Sequence, residues 1–133
     1  MTAMPPQVLI VEDEESILLS LEFLLTKEGC AVSLARDGAT ALRALEQQAP
    51  DLVLLDVMLP LIDGFELCRL IRENPALNST RIMLVTARGR EAEIARGMAL
   101  GADAYLTKPF STRDLMDKVR GLLAGVAAQK PAG

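Results

Sequence analysis

The chain has 133 residues, with 14 basic and 18 acidic side chains, no histidine and two cysteines. That length suits one domain with a single core, which buries roughly two-thirds of the surface its unfolded chain exposes. The composition excludes a disulfide-stapled scaffold and a histidine- or thiolate-rich zinc site: Cys30 and Cys68 stand far apart in no C-x-x-C pattern and read as small buried residues of a reducing cytoplasm.

Residues 1–6 carry no pattern and are expected to be disordered. The apolar run Val8-Leu9-Ile10-Val11 predicts a strand over 7–11, closed by Glu12 and Asp13. Ile17, Leu18, Leu21, Leu24 and Leu25 recur at helical spacing over 15–28, and Gly29 suits a left-handed helix end. A second strand follows over 31–35 and a second helix over 38–48, with Asp37 as its N-cap. Leu52-Val53-Leu54-Leu55 forms the third strand and ends in Asp56, and Asp63-Gly64 turns into a third helix over 64–74. The run Arg81-Ile82-Met83-Leu84-Val85 predicts a fourth strand closed by Thr86, and a fourth helix over 91–100 ends at Gly101. Ala104-Tyr105-Leu106-Thr107, closed by Lys108, is the fifth strand. The fifth helix, over 112–124, is capped by Ser111 or Thr112 and buries Leu115, Met116, Val119, Leu122 and Leu123. Residues 125–133 lose this periodicity and read as a tail or the start of a linker, which leaves one domain over 7–124.

Five strand-then-helix units in a row predict an α/β fold, a doubly wound parallel sheet with helices on both faces. Such sheets bind ligands at the carboxyl ends of their strands. Four of the five predicted strands deliver polar groups there: Glu12-Asp13, Asp56, Thr86 and Lys108. With strands one and three as neighbours, three carboxylates share one pocket and raise one another's pKa values unless a cation neutralises them. Ligands that are all oxygen favour a hard ion, and Mg²⁺ is the natural candidate. Asp56 is then a ligand, a base or a nucleophile. The Lys108 ammonium and the Thr86 hydroxyl suit phosphoryl oxygens, and an aspartyl phosphate is known carboxylate chemistry. Each residue also has a plain structural reading: Glu12 to Glu15 as an acidic helix start, Thr86 as a helix cap, Tyr105 as a core aromatic.

Taken together, Val-Leu-Ile-Val-Glu-Asp-Glu (8–14), Pro-Asp-Leu-Val-Leu-Leu-Asp-Val-Met-Leu-Pro (50–60), Asp-Gly (63–64), Val-Thr-Ala (85–87) and Gly-Ala-Asp-Ala-Tyr-Leu-Thr-Lys-Pro-Phe (101–110) resemble the response-regulator receiver domain of two-component signalling. The resemblance covers residues 7–124. It implies a flavodoxin-like, five-stranded sheet of order 2-1-3-4-5 and a phosphorylation-activated signalling switch rather than an enzyme. By this resemblance Asp56 accepts a phosphoryl group from a sensor histidine kinase or histidine phosphotransfer protein. Glu12, Asp13, Asp56 and the backbone carbonyl of Met58 would hold Mg²⁺ (or Mn²⁺). Thr86, Ala87 and Lys108 would contact the phosphoryl group, Thr86 and Tyr105 would form the switch, and the Lys108-Pro109 peptide would be cis. Met58 and Arg88 would flank the path of the attacking water and tune the lifetime of the phosphorylated state.

The charge is asymmetric, with 3 basic and 12 acidic side chains in residues 1–66 against 11 and 6 in residues 67–133. The arginines of the second half lack interleaved aromatics, so direct nucleic-acid binding by this segment is not expected. Arg90, Arg96, Lys118 and Arg120 are expected to give positive charge to a face formed by the fourth helix, fifth strand and fifth helix, where an output domain or target protein would meet the switch. Family members that dimerise on this face use an acidic pair in the fifth strand. Here Asp103 is followed by Ala104, and Ile94 stands where arginine is common, which leaves at most a weak homodimer. The N-terminus has no basic and apolar leader, and the longest apolar stretch, Leu52 to Ile62, is shorter than a span of ~20 residues, so a cytoplasmic protein without membrane contact is expected. Two rival functions fit less well. A phosphatase of the haloacid-dehalogenase kind needs an acid two residues after its nucleophile, where this chain has Met58. A flavin or nucleotide binder needs a glycine- or hydroxyl-rich loop after the first strand, where this chain has Glu12-Asp13-Glu14-Glu15.

Overall fold

The computed structural model describes residues 4–87 and 90–129, with side chains as far as Ala124. Five strands, β1 (Gln7–Val11), β2 (Ala31–Ala35), β3 (Leu52–Asp56), β4 (Arg81–Ala87) and β5 (Ala104–Lys108), alternate with five helices. These are α1 (Glu15–Lys27), α2 (Gly38–Gln47), α3 (Gly64–Glu73), α4 (Glu91–Ala99) and α5 (Thr112–Gln129), with a short 3₁₀ turn at Pro75–Leu77. All strand pairings are parallel and the order is β2-β1-β3-β4-β5, as the resemblance implied. The register sets Val11 beside Leu55 and Asp56 beside Val85, so the polar strand ends fall in line.

Strand alternation builds a core on each side of the sheet. Leu9, Val11, Val53, Leu55, Ile82 and Leu84 pack with the apolar stripes of α2 and α3. Val8, Ile10, Leu52, Leu54, Met83 and Leu106 pack with Leu18, Leu21 and Leu25 of α1 and Leu115, Met116 and Val119 of α5. Each such fully buried leucine or isoleucine contributes roughly 1.5–3 kcal/mol. Both faces of β3 are closed, which is why its sequence is apolar without alternation until Asp56.

The helix ends follow local chemistry. Asp37 accepts a hydrogen bond from Thr40 N, Asp63 from Glu66 N and Ser111 from Asp114 N, so Ser111 rather than Thr112 caps α5. Gly29 and Gly101 take φ of 99° and 110° after α1 and α4. At Gly64 the constraint is close approach and not φ. A Cβ there would stand 2.5 Å from the Asp56 carbonyl oxygen and 2.6 Å from Val57 Cα, so only glycine lets α3 start against the backbone that carries Asp56.

Two boundaries differ from expectation. The helix α5 continues through Gln129, five residues past its predicted end at residue 124, because extending a formed helix needs only propagation and not nucleation. At the other end the Pro6 carbonyl accepts from Ala31 N at 2.8 Å, so ordered chain begins within the segment expected to be disordered. Residues 1–3 and 130–133 lie outside the described residues.

Candidate functional site

The carboxyl ends of β1, β3 and β5 converge as the apolar runs predicted. Glu12 is 1 % exposed and Asp56 5 %, whereas Asp13, the next residue, is exposed at the rim. Carboxylate oxygens of Glu12, Asp13 and Asp56 lie within 4.8 Å of one another. Lys108 Nζ, from the end of β5, reaches past the end of β4 to stand 2.7 Å from Glu12 Oε1 and 3.4 Å from Asp56 Oδ2. Asp56 Oδ1 accepts from Met58 N at 3.0 Å and Glu12 Oε2 from Glu14 N at 3.2 Å, so backbone turns fix both carboxylates. The Lys108-Pro109 bond is cis.

This crowding has an electrostatic signature. Burial, reinforced by the neighbouring Asp56, pushes the Glu12 carboxyl up to about 7 despite the opposing pull of Lys108. Burial alone would draw the Lys108 ammonium down, but Glu12 and Asp56 outweigh it and hold the group above its ordinary value. One ammonium thus faces more carboxylate than it can balance, and the pocket has room in its charge for a cation. The donors are all oxygen and fit a hard divalent ion.

Thr86 sits one step past Val85, the register partner of Asp56, and is buried with an Oγ1 that has no hydrogen-bond partner among the described residues. It is not a helix cap. A buried hydroxyl is ordinarily hydrogen-bonded, so this one stands out beside the carboxylate cluster. Tyr105 is not a core aromatic either: its side chain faces outward, 38 % exposed, with Lys118 Nζ 4.5 Å from its ring centroid. Ala87 is exposed at the end of β4, and the Met58 side chain is 62 % exposed beside the pocket. Arg88 lies outside the described residues.

The sequence matches the response regulator receiver domain over residues 8–120. The chain belongs to this family. It is 44 % identical over 120 residues to the phosphate regulon transcriptional regulatory protein PhoB of Rhizobium meliloti, covering 90 % of this chain and 53 % of that one. The alkaline phosphatase synthesis transcriptional regulatory protein PhoP of Bacillus subtilis is 42 % identical over 120 residues, with 90 % and 49 % covered. This receiver therefore spans about half the length of these curated relatives. Among solved structures, the chemotaxis response regulator CheY4 of Vibrio cholerae superposes with a TM-score of 0.85 at 28 % identity, covering 90 % of this chain and 99 % of that one. The receiver domain of the sensor histidine kinase PA1611 of Pseudomonas aeruginosa, solved with a magnesium ion in its active-site cleft, gives 0.83 at 29 % identity over 91 % and 99 %.

Several features of the receiver were not visible in its sequence. The expected cationic face is internally partnered: Arg90 pairs with Glu93, Arg96 lies 4.2 Å over the Phe65 ring, Lys118 lies over Tyr105, and Arg120 forks onto Glu28. Asp103 is likewise committed inside the chain, accepting from Ile82 N at 2.8 Å and Arg72 at 2.9 Å. In the loop after β3, Ile62 seats on Gly38, and Leu61 takes φ of 66° with its side chain 98 % exposed. A groove of about 710 Å³ runs from Lys108 between Ile17, Ser20 and Phe23 of α1 and Pro109-Phe110. A second cleft, of about 460 Å³, is lined by Thr40, Arg43 and Gln47 beside the start of β1, at the opposite end of the sheet from Asp56. Among the described residues no helix is long and apolar enough to cross a membrane.

Proposed function

We propose that this receiver is a phosphorylation-operated switch whose acceptor is Asp56, supplied by a sensor histidine kinase or histidine phosphotransfer protein in the cytoplasm. The observation that carries the reading is a buried carboxylate at a strand end, ringed by two further carboxylates and one lysine. An Asp56 oxygen attacks the phosphorus in line, the bond from phosphorus to the donor's leaving atom breaks, and the leaving group departs with the electron pair. Lys108 releases its hold on Glu12 and Asp56 to meet the incoming oxygens, and Thr86 Oγ1 and the Ala87 backbone N–H donate to them. Glu12, Asp13, Asp56 and the backbone carbonyl of Met58 would hold Mg²⁺ (or Mn²⁺), which supplies charge neutralisation for the transferred dianion. The magnesium held by the Pseudomonas neighbour supports this assignment.

The donor docks over the groove beside α1, where exposed Phe23 and Pro109-Phe110 offer apolar contact next to Lys108. Phosphorylation draws Thr86 toward the new anion and Tyr105 inward, altering the α4–β5–α5 face that an output domain or target protein reads. That face supports at most a weak homodimer, since Asp103 is held within the chain. Met58 and Arg88 tune the lifetime, the methionine by offering the attacking water no hydrogen bond. Beyond assisting its own phosphorylation and dephosphorylation, the receiver turns over no substrate, because position 58 holds no acid. Incubation with Mg²⁺ and a small acyl phosphate should add one phosphoryl group by intact mass, and Asp56→Asn should abolish it. Full labelling of that variant would reject the assignment.

A further inference from the structure

Tyr105 is the only tyrosine of a chain without tryptophan, and it is held from two sides by one residue. Lys118 projects from the second turn of α5, donates a hydrogen bond to the Tyr105 backbone carbonyl, and places Nζ 4.5 Å from the ring centroid. The anchor is a main-chain atom, which stays where it is whichever way the ring points. The ring contact exists only while the ring points outward. Lys118 therefore interacts differently with two positions of the same side chain, which is the requirement for biasing an equilibrium between them.

We infer that Lys118 is a positioning residue that clamps Tyr105 outward and so sets how readily the receiver switches. This rests on the reading of Tyr105 as the side chain that turns inward. The ammonium contributes nothing to the pocket directly: Glu12 and Asp56 are met by Lys108, and Lys118 is engaged at the carbonyl of a residue three positions earlier on β5. Beyond its share of the overall field, its effect on phosphoryl binding runs through the ring. A cation–π contact at a partly exposed ring is worth about a two- to fivefold change in an equilibrium. When the outward state dominates, weakening it by that factor raises the competent population, and hence apparent affinity, by the same factor.

The direction separates this device from a simple field effect. Removing a positive charge from a chain of net charge −4 should weaken the binding of any anion. The clamp predicts the opposite. The test is a titration of the protein with beryllofluoride in Mg²⁺, read by acrylamide quenching of Tyr105 fluorescence. Quenching should fall as the ring turns inward. Lys118→Met and Lys118→Gln should both reach half-saturation at about two- to fivefold lower beryllofluoride than the parent, the glutamine retaining a donor for the carbonyl but no charge for the ring. Lys118→Arg, which keeps a cation over the ring, should match the parent. Unchanged or weaker binding in either the methionine or the glutamine variant would overturn the clamp while leaving the switch intact. A parent protein that binds beryllofluoride by fluorine NMR without any change in tyrosine quenching would overturn the switching role of Tyr105 and the clamp with it.

Discussion

Glu12 gives the site its sharpest quantitative consequence, because its carboxyl is held near 7 in the fold against an ordinary value of 4.5. The folded protein thus binds this proton more tightly than the unfolded chain does. Stability from this group is full below about pH 4.5 and is lost as pH rises through 7, the reverse of a salt-bridged carboxylate. At about 1.4 kcal/mol for each tenfold change in proton affinity, ionising Glu12 in the metal-free fold costs on the order of 3 kcal/mol by pH 8, against under about 1 kcal/mol at pH 5. Glu12→Gln keeps the shape and removes the titration. Urea denaturation of parent and variant in a chelator, at intervals from pH 5 to 8, should show the variant gaining about 2 kcal/mol on the parent across that range, or about 1 M in midpoint. Other titrating groups are common to both proteins and cancel in the comparison. Adding Mg²⁺ at pH 8 should raise the parent's midpoint more than the variant's. A gap between the two proteins that stays constant from pH 5 to 8 would refute the idea that Glu12 is ionised at a cost.

Glu12→Gln combined with Asp13→Asn should weaken Mg²⁺ binding, measured by calorimetry, far more than Glu14→Gln with Glu15→Gln; equal losses would mean that the acidic run acts as a diffuse field. Leu61→Gly should stabilise the fold by up to about 1 kcal/mol, since a left-handed φ of 66° strains a leucine and its exposed side chain gives nothing back; a lower thermal midpoint would refute this. Gly64→Ala should destabilise by more than about 2 kcal/mol in urea, because its methyl group meets immovable backbone at Asp56 and Val57.

What the sequence disclosed was whatever burial enforces locally. A central parallel strand must be apolar on both faces, so Val8 to Val11 and Leu52 to Leu55 announced themselves, and the carboxylates that interrupt the pattern stood out as a site. Asp37 and Asp63 were legible for the same reason, since a cap is satisfied by its own next turn. Pairings between distant positions were not. Arg120 meets Glu28 across 92 residues, and nothing in either neighbourhood names the other. The direction of Tyr105 was equally hidden, because on an edge strand a ring packs inward or lies along the surface, and here a lysine from α5 decides. The last turn of α5 carries no apolar stripe, and its signal lies instead in the helix-forming Ala127 and Ala128.

The length of α5 gives the receiver a mechanical property of its own. The helix is fixed at its start by the Ser111 cap, and at 1.5 Å per residue it reaches roughly 27 Å to Gln129. About a third of the way along, Lys118 ties it to the Tyr105 carbonyl, and Leu115, Met116 and Val119 bury its inner face against the sheet. For a straight helix of this length, a tilt of about 3° of its packed turns moves the far end by roughly 1.4 Å. The far end of α5 is therefore where a small repacking of this face shows as the largest displacement.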